Sequence, residues 1–411
     1  MHVSQERIME RIEALARFNA TPGAGVTRFS FGPEDAQARD YLFSLFRQLD
    51  MAVKVDPVGN IRARYPGQDS SLAPVWVGSH IDSVRNGGQY DGIVGVVGAL
   101  ETVSVLRENG ITPRRSIDVV IFPEEEGSNF GTTMVGSKCL AGKLDYAGLE
   151  KLHAEDGRSC AEMMKAFGLE PDRVAECRLV PGDVDAMLEL HIEQGIVLDR
   201  RKAKLGVVKA IAGMITVRFT ITGESNHAGA TPMDMRHDPL VSAARLICKA
   251  QEIAATECLK DTVATVGEIQ CSPNMPNVIP GQVSFTVDIR DIDQTGMDRC
   301  LSLIQAAAEE VGAQDGVTIT MDTIGRNVPV KMTDRVVDEV RAAAQDTGAA
   351  WMEMNSGAVH DTAMLALRTD VGMIFVPSVD GKSHNAQEYT APEDIALGCE
   401  TLLNTVIRLT K

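Results

Sequence analysis

Apolar and polar positions follow two different textures along this chain. In the first, short apolar runs each end in a polar, glycine- or serine-flanked break: APVWVGS (73–79), SIDVVIFPEEEG (116–127) and AMLELHIEQG (186–195). Between the first two lies GIVGVVGALETVSVLRENG (92–110), whose length and closing Gly110 predict a helix. Strands alternating with helices predict an α/β layer architecture. Functional groups in such sheets sit beyond the carboxyl ends of the strands, and all three polar breaks fall there.

The second texture begins near GVVKAIAG (206–213), after which apolar and polar residues alternate with period two. Ile215, Val217, Phe219 and Ile221 then share one face of a strand. A helix pattern follows in DPLVSAARLICKAQEIA (238–254), then strands TVATVGEIQ and VSFTVDIRD, a helix over 297–311, and a strand VTITMDT (317–323). That βαββαβ order predicts a four-stranded antiparallel sheet with two helices on one face, a ferredoxin-like insertion. The α/β pattern resumes with a helix near 333–346, a strand MIFVPS (373–378) and a last helix at 391–410. The N-terminal VSQERIMERIEALARF reads as an amphipathic surface helix through Ile8, Ile12 and Leu15. The expected fold class is therefore α/β with two domains. Residues 1–208 and 327–411 form a mixed-sheet α/β domain, and 209–326 form the inserted domain.

Bulk properties narrow the chemistry. A length of 411 residues is too great for one ordinary core, which supports two domains. A formal charge of −17 opposes nucleic acid and anionic membrane surfaces as partners. No apolar run reaches the ~18 residues that suggest a membrane span. The N-terminus lacks the basic start, apolar stretch and small-residue cleavage site of a signal peptide, so the chain reads as cytoplasmic. The eight Cys include no CxxC pair and read as reduced thiols. Any metal site must rest on His and acids.

Those residues are present in the polar breaks. GSHIDSV (78–84) supplies His80, YDGIVG supplies Asp91, EEEG (124–127) supplies Glu126, HIEQG (191–195) supplies His191, and SHNAQE (383–388) supplies His384. Imidazoles and carboxylates at strand ends are costly unless paired or metal-bound, and this set suits two divalent cations sharing a bridging carboxylate. Asp91 is placed to bridge; helix N-capping is its other reading. Asp82, two residues past His80, is placed to accept the other imidazole N–H. In EEEG, crowding raises proton affinity, so Glu126 is assigned as a ligand, Glu125 as general base and acid, and Glu124 as support.

With these residues assembled, the chain resembles the M20-type metallohydrolases, in their hydantoinase/carbamoylase branch. The likeness runs from end to end through GSHIDSVRNGGQYDG, EEEGSNF, ELHIEQG, GESNHAGATPM, NVIPG and IFVPS…SHNAQE. That branch includes N-carbamoyl-L-amino acid hydrolases, allantoate amidohydrolases and β-ureidopropionases. The resemblance implies two divalent ions (zinc, manganese, cobalt or nickel), one held by His80 and His191, the other by Glu126 and His384, with Asp91 bridging. It implies a small ureido or carbamoyl carboxylate as substrate, and a homodimer whose inserted domain acts as lid and dimerisation element. His227 is implied to polarise the scissile carbonyl from the partner subunit. Gln194, Asn277, Arg290, Gly357 and His360 are implied to hold substrate. A guanidinium at Arg290 suits a carboxylate, although Asp288 or Asp291 offers it a salt bridge instead. SGAVHDT (356–362) departs from the family's SGAGHDA, and Val359 and Thr362 bear on the shape of the local pocket. An M20-type aminoacylase or peptidase is the more distant alternative.

Overall fold

The computed structural model describes residues 1–411, which form two compact units: Met1–Lys209 with Met332–Lys411, and Ala210–Lys331. In the first unit a mixed sheet runs from Ala52–Val55 through Ile61–Tyr65, Ile117–Phe122, Val75–His80, Ala186–Ile192 and Asp370–Val376 to Leu205–Ile211, with Trp351–Ser356 pairing onto the last of these. Its four central strands, Ile117–Phe122 to Asp370–Val376, are parallel; antiparallel strands flank them on both sides. Strands Val75–His80, Ile117–Phe122 and Ala186–Ile192 are buried at every position, as strands covered on both faces must be.

The helix Ile93–Glu108 is buried from Ile93 to Leu106, which explains its nearly uniform apolar sequence. Its one buried carboxylate, Glu101, accepts bonds from Arg7 Nε and Ser4 N, both at 2.7 Å. The N-terminal helix Gln5–Ala16 is thereby tied down, with Ile8, Ile12 and Leu15 fully buried beneath it. No helix is long and apolar enough to cross a membrane.

The second unit holds an antiparallel sheet in the order Ile269–Ser272, Gln282–Asp291, Gly213–Thr222, Thr318–Asn327, with Val263–Thr265 also pairing onto Gln282–Asp291. The sheet thus has five strands rather than four, because TVATVGEIQ is interrupted around Gly267 into two short pieces. Ile215, Val217, Phe219 and Ile221 pack with Val283, Phe285, Val287 and Ile289 against Leu246 and Ile304 of the helices Pro239–Thr256 and Gln294–Asp315. The unit extends to Lys331 because Val330 and Lys331 pair with Ile211 and Ala210.

Several elements are absent from the sequence reading. The helix Pro33–Gln48 has a diffuse apolar pattern, and Ala52–Val55 and Trp351–Ser356 are short strands with no fully buried face.

Candidate metal centre

Sheet order places the site. From Val75–His80 the chain moves to Ile117–Phe122 on one side, then to Ala186–Ile192 on the other, so the direction of winding switches between His80 and His191. Doubly wound sheets open a crevice at such a switch, beyond the carboxyl ends of the strands. His80 ends one of these strands, and His191 is next to last in the other. Asp91 precedes Gly92, which caps the helix Ile93–Glu108 with φ 67°. A Cβ on Gly92 would lie 2.6 Å from the His80 ring, so only glycine leaves room for that imidazole. No side chain caps this helix, and the Asp91 carboxylate is engaged elsewhere.

The two Asp91 oxygens face different partners. Oδ1 lies 3.3 Å from His80 Nε2 and 3.2 Å from His191 Nε2. Oδ2 lies 3.6 Å from His384 Nε2, which is itself 3.3 Å from Glu126 Oε2. Backbone carbonyls only accept, so Nδ1 of His80 donates to Asp82 O at 3.0 Å and Nδ1 of His191 donates to Ile192 O at 2.9 Å. His191 Nε2 accepts the Gly92 N–H at 3.2 Å and therefore carries a lone pair. Both rings are fixed with Nε2 turned toward the acid, the orientation a ligating histidine needs.

Asp82 plays a different part from the one expected. His80 donates to the backbone oxygen of Asp82, and the carboxylate is farther away at 3.7 Å. That carboxylate instead accepts the N–H groups of Glu125 and Glu126, at 3.2 and 3.1 Å. It fixes the backbone of the two acids assigned to base and ligand. Glu124 supports the same turn: its N–H donates to Ser30 Oγ at 2.7 Å, and its Oε1 accepts from Asn129 N at 2.8 Å. Burial pushes the Glu124 carboxyl up to about 8.

Charge is unbalanced in this crevice. Asp82, Asp91, Glu124, Glu125, Glu189, Asp361 and Glu388 are all buried. Burial, then Glu126, Asp361 and Asp82, holds the Glu125 carboxyl well above the usual range, against the pull of His80. Burial disfavours a charged ring at His80, yet Glu125, Asp91 and Asp82 outweigh it and raise its proton affinity well above the imidazole norm. Glu125 Oε2 is 3.8 Å from His80 Nε2, and its Oε1 accepts no hydrogen bond. Imidazole lone pairs and carboxylate oxygens converging with so few cations are the donor set of hard or borderline divalent ions. Ligand atoms of His80, Asp91 and His191 lie within 4.8 Å of one another, as do those of Asp91, Glu126 and His384. The residues fit divalent metal binding.

Of the positions expected to hold substrate, Gln194 lies beside the centre. It has φ 59°, and its Nε2 donates to Asp91 Oδ2 at 2.7 Å. His360 is buried behind the centre: its Nε2 meets Ser356 Oγ at 2.9 Å, and its ring lies 4.6 Å from that of His191. Burial, with His191 adjacent, lowers its pKa well below the usual value. Gly357 is exposed in the bend after Ser356.

His227, Asn277 and Arg290 belong to the second unit. His227 pairs with Val278 in a short ladder, and the Asn277 carbonyl accepts from Ala228 N at 3.1 Å. His227 Nδ1 accepts from Gly229 N at 3.0 Å, leaving Nε2–H as an exposed donor. Arg290 Nε donates to Asp288 Oδ1 at 2.8 Å, the salt bridge weighed against substrate binding.

Sequence reasoning left Glu189, Ser383 and Glu388 unassigned. Glu189 stands two residues before His191 on one strand, a period-two signal that both point to the same face. Ser383 and Glu388 lie within SHNAQE, where neither residue has a local signal like that of the histidine.

Comparison with known proteins identifies the family. The sequence model of peptidase family M20/M25/M40 matches residues 76–408. An N-carbamoyl-L-amino acid amidohydrolase of Geobacillus stearothermophilus is 40% identical over 407 residues, covering 99% of each chain. A ureidoglycolate hydrolase of rice is 34% identical, covering 99% of this chain and 85% of its own. The crystal structure of a hydantoinase/carbamoylase family amidase from Burkholderia multivorans is 35% identical, with a TM-score of 0.94 over 100% of this chain and 98% of that one. The chain belongs to the M20/M25/M40 family, in its hydantoinase/carbamoylase branch.

Proposed function

We propose that this chain is a two-metal amidohydrolase that cleaves the C–N bond of an N-carbamoyl-L-amino acid. The observation that carries the proposal is the division of Asp91, with Oδ1 toward His80 and His191 and Oδ2 toward His384 and Glu126. His80 and His191 would hold one cation, Glu126 and His384 the other, with Asp91 common to both. A divalent pair bound there supplies an acidified water and a polarising charge for a carbonyl oxygen.

The remaining work falls to the chain's own groups. Glu125, with Oε1 free to accept, takes the proton of the attacking water and returns it to the leaving nitrogen. Asp82 holds Glu125 and Glu126 in place through their N–H groups. Gln194 orients Asp91 through Oδ2. The exposed Nε2–H of His227 is a donor suited to the scissile carbonyl oxygen, and Asn277 and Arg290 are the matching candidates for holding a substrate carboxylate. Homodimerisation through the second unit, a lid role for it, and a cytoplasmic location belong to the same proposal. Hydrolysis of the carbamoyl group yields an amino acid, carbon dioxide and ammonia.

The carbamoylase reading takes its support from the 40% identity over the full length. An acyclic ureide such as ureidoglycolate or allantoate is the second reading, favoured by relatives of both kinds at 34% identity. β-Ureidopropionase and then aminoacylase or peptidase activity come after it. A substrate panel with added manganese separates them: N-carbamoyl-L-methionine, allantoate, ureidoglycolate, N-carbamoyl-β-alanine and N-acetyl-methionine. Fastest turnover of N-carbamoyl-L-methionine is the expected result; turnover of N-acetyl-methionine alone contradicts the proposal.

A further inference from the structure

We propose that Glu388 is a positioning residue for the metal centre, registering the segment that carries His384 against the segment that carries Asp91. The inference rests on the reading that Asp91 and His384 hold cations. Glu388 is buried, and its Oε1 accepts the N–H groups of Tyr90 at 3.0 Å and Asp91 at 3.1 Å. Its Oε2 is 3.0 Å from Ser383 Oγ, and that hydroxyl is also 3.0 Å from Asp91 Oδ2. Asp91 is thereby gripped at both ends, by its amide directly and by its carboxylate through Ser383.

The grip is local to one turn and remote in sequence. Within 383–388, Asn385 Nδ2 donates to Ser383 O at 2.8 Å and the Glu388 N–H donates to Asn385 O at 3.1 Å. His384 sits inside this turn with φ 57°. The turn is therefore a rigid piece whose attachment to Tyr90 and Asp91 sets where His384 stands relative to the bridging acid. Glycine at position 88 makes the attachment possible, since a Cβ there would lie 2.0 Å from Glu388 Oε1. Both Glu388 oxygens are engaged in these contacts, so its action runs through Asp91 and His384 rather than through substrate.

Hydrogen-bond inventory gives the role a signature. The Ser383 hydroxyl has one proton and two carboxylate acceptors, Asp91 Oδ2 and Glu388 Oε2. A glutamine at 388 keeps an acceptor for the Tyr90 and Asp91 amides, and its NH2 donates to Ser383, freeing that proton for Asp91. Charge at 388 is dispensable on this account, and the hydrogen bonds are not.

The test is calorimetric titration of Mn2+ into chelator-stripped full-length protein, for wild type, Glu388→Ala, Glu388→Gln and Ser383→Ala. Circular dichroism and melting temperature of each metal-free protein check its folding. Glu388→Ala is expected to weaken Mn2+ binding at one or both sites by about 10–100-fold, the usual loss when an outer partner of a ligand is removed. Glu388→Gln should bind close to wild type, and Ser383→Ala should fall between. Should Glu388→Ala fail to fold, Ser383→Ala, which removes a single oxygen, carries the test. Wild-type affinity in both alanine variants, or equal losses in Glu388→Gln and Glu388→Ala, overturns the inference. A wild-type protein that takes up no Mn2+ instead removes the metal reading, and this one with it.

Discussion

The hydroxyl of Thr362 donates to Glu189 Oε2 at 2.6 Å, and the Thr362 N–H reaches the same oxygen at 3.3 Å. Ser79 Oγ serves the other oxygen at 2.7 Å, so a fully buried carboxylate is satisfied from the strand Val75–His80 and from the segment at 362. Thr362 is one of the two residues that depart from the family's SGAGHDA pattern. Its hydroxyl points into the interior beside the ligand strand, so its first effect is on packing behind His191 rather than on the shape of a substrate pocket.

Removing that hydroxyl strands one side of Glu189. Thr362→Ala should lower stability by about 1–3 kcal/mol, the cost of leaving a buried acceptor short of a donor. The urea midpoint should fall with an unchanged slope. An unchanged midpoint would show that Glu189 is satisfied some other way.

Glu101 anchors the N-terminal helix from inside the helix Ile93–Glu108. Its two oxygens serve Arg7, Arg11 and Ser4 N. Glu101→Ala should cost about 3 kcal/mol, the low end for breaking a buried pair, because Arg7 keeps some contact with water. Differential unfolding curves with and without residues 1–16 tell the anchor from a general core defect: a truncated chain should be indifferent to the substitution.

Glu125 is assigned the proton transfers. Glu125→Gln should retain the metal content of the wild type and lose about 10²–10⁴-fold in kcat, the range for a positioned acid–base group. Metal analysis alongside steady-state kinetics checks both halves. Retained turnover would refute the assignment.

Asp82 acts through the backbone of the EEEG turn. Asp82→Ala should lower kcat by about 10–100-fold, as loss of an outer-shell partner does. Asp82→Asn, which keeps one acceptor of the two, should lose less. Equal losses in the two variants would place the effect on the charge of Asp82 instead of on its hydrogen bonds to Glu125 and Glu126.

The elements most legible in the sequence were those with an unbroken period. Ile215, Val217, Phe219 and Ile221 alternate in sequence and in burial, and the apolar helix after Asp91 is buried almost throughout. His80, Asp91, Glu126, His191 and His384 stood out because ionisable residues flanked apolar runs, and the fold brings them together. Contacts set by tertiary structure were not legible. Nothing local tells that His80 will choose the backbone oxygen of Asp82 over its carboxylate, that His360 will be turned inward onto Ser356, or that Glu388 will reach back to residues 90 and 91. Short edge strands such as Ala52–Val55 were missed because they have no buried face to impose a pattern.

The most direct test of the two-metal account is the number of Mn2+ ions bound per chain at equilibrium, measured by plasma mass spectrometry for wild type and Asp91→Ala. Two ions in the wild type and fewer than one in the variant are predicted, because Asp91 alone faces both ligand pairs. Equal occupancy in the two proteins would contradict it.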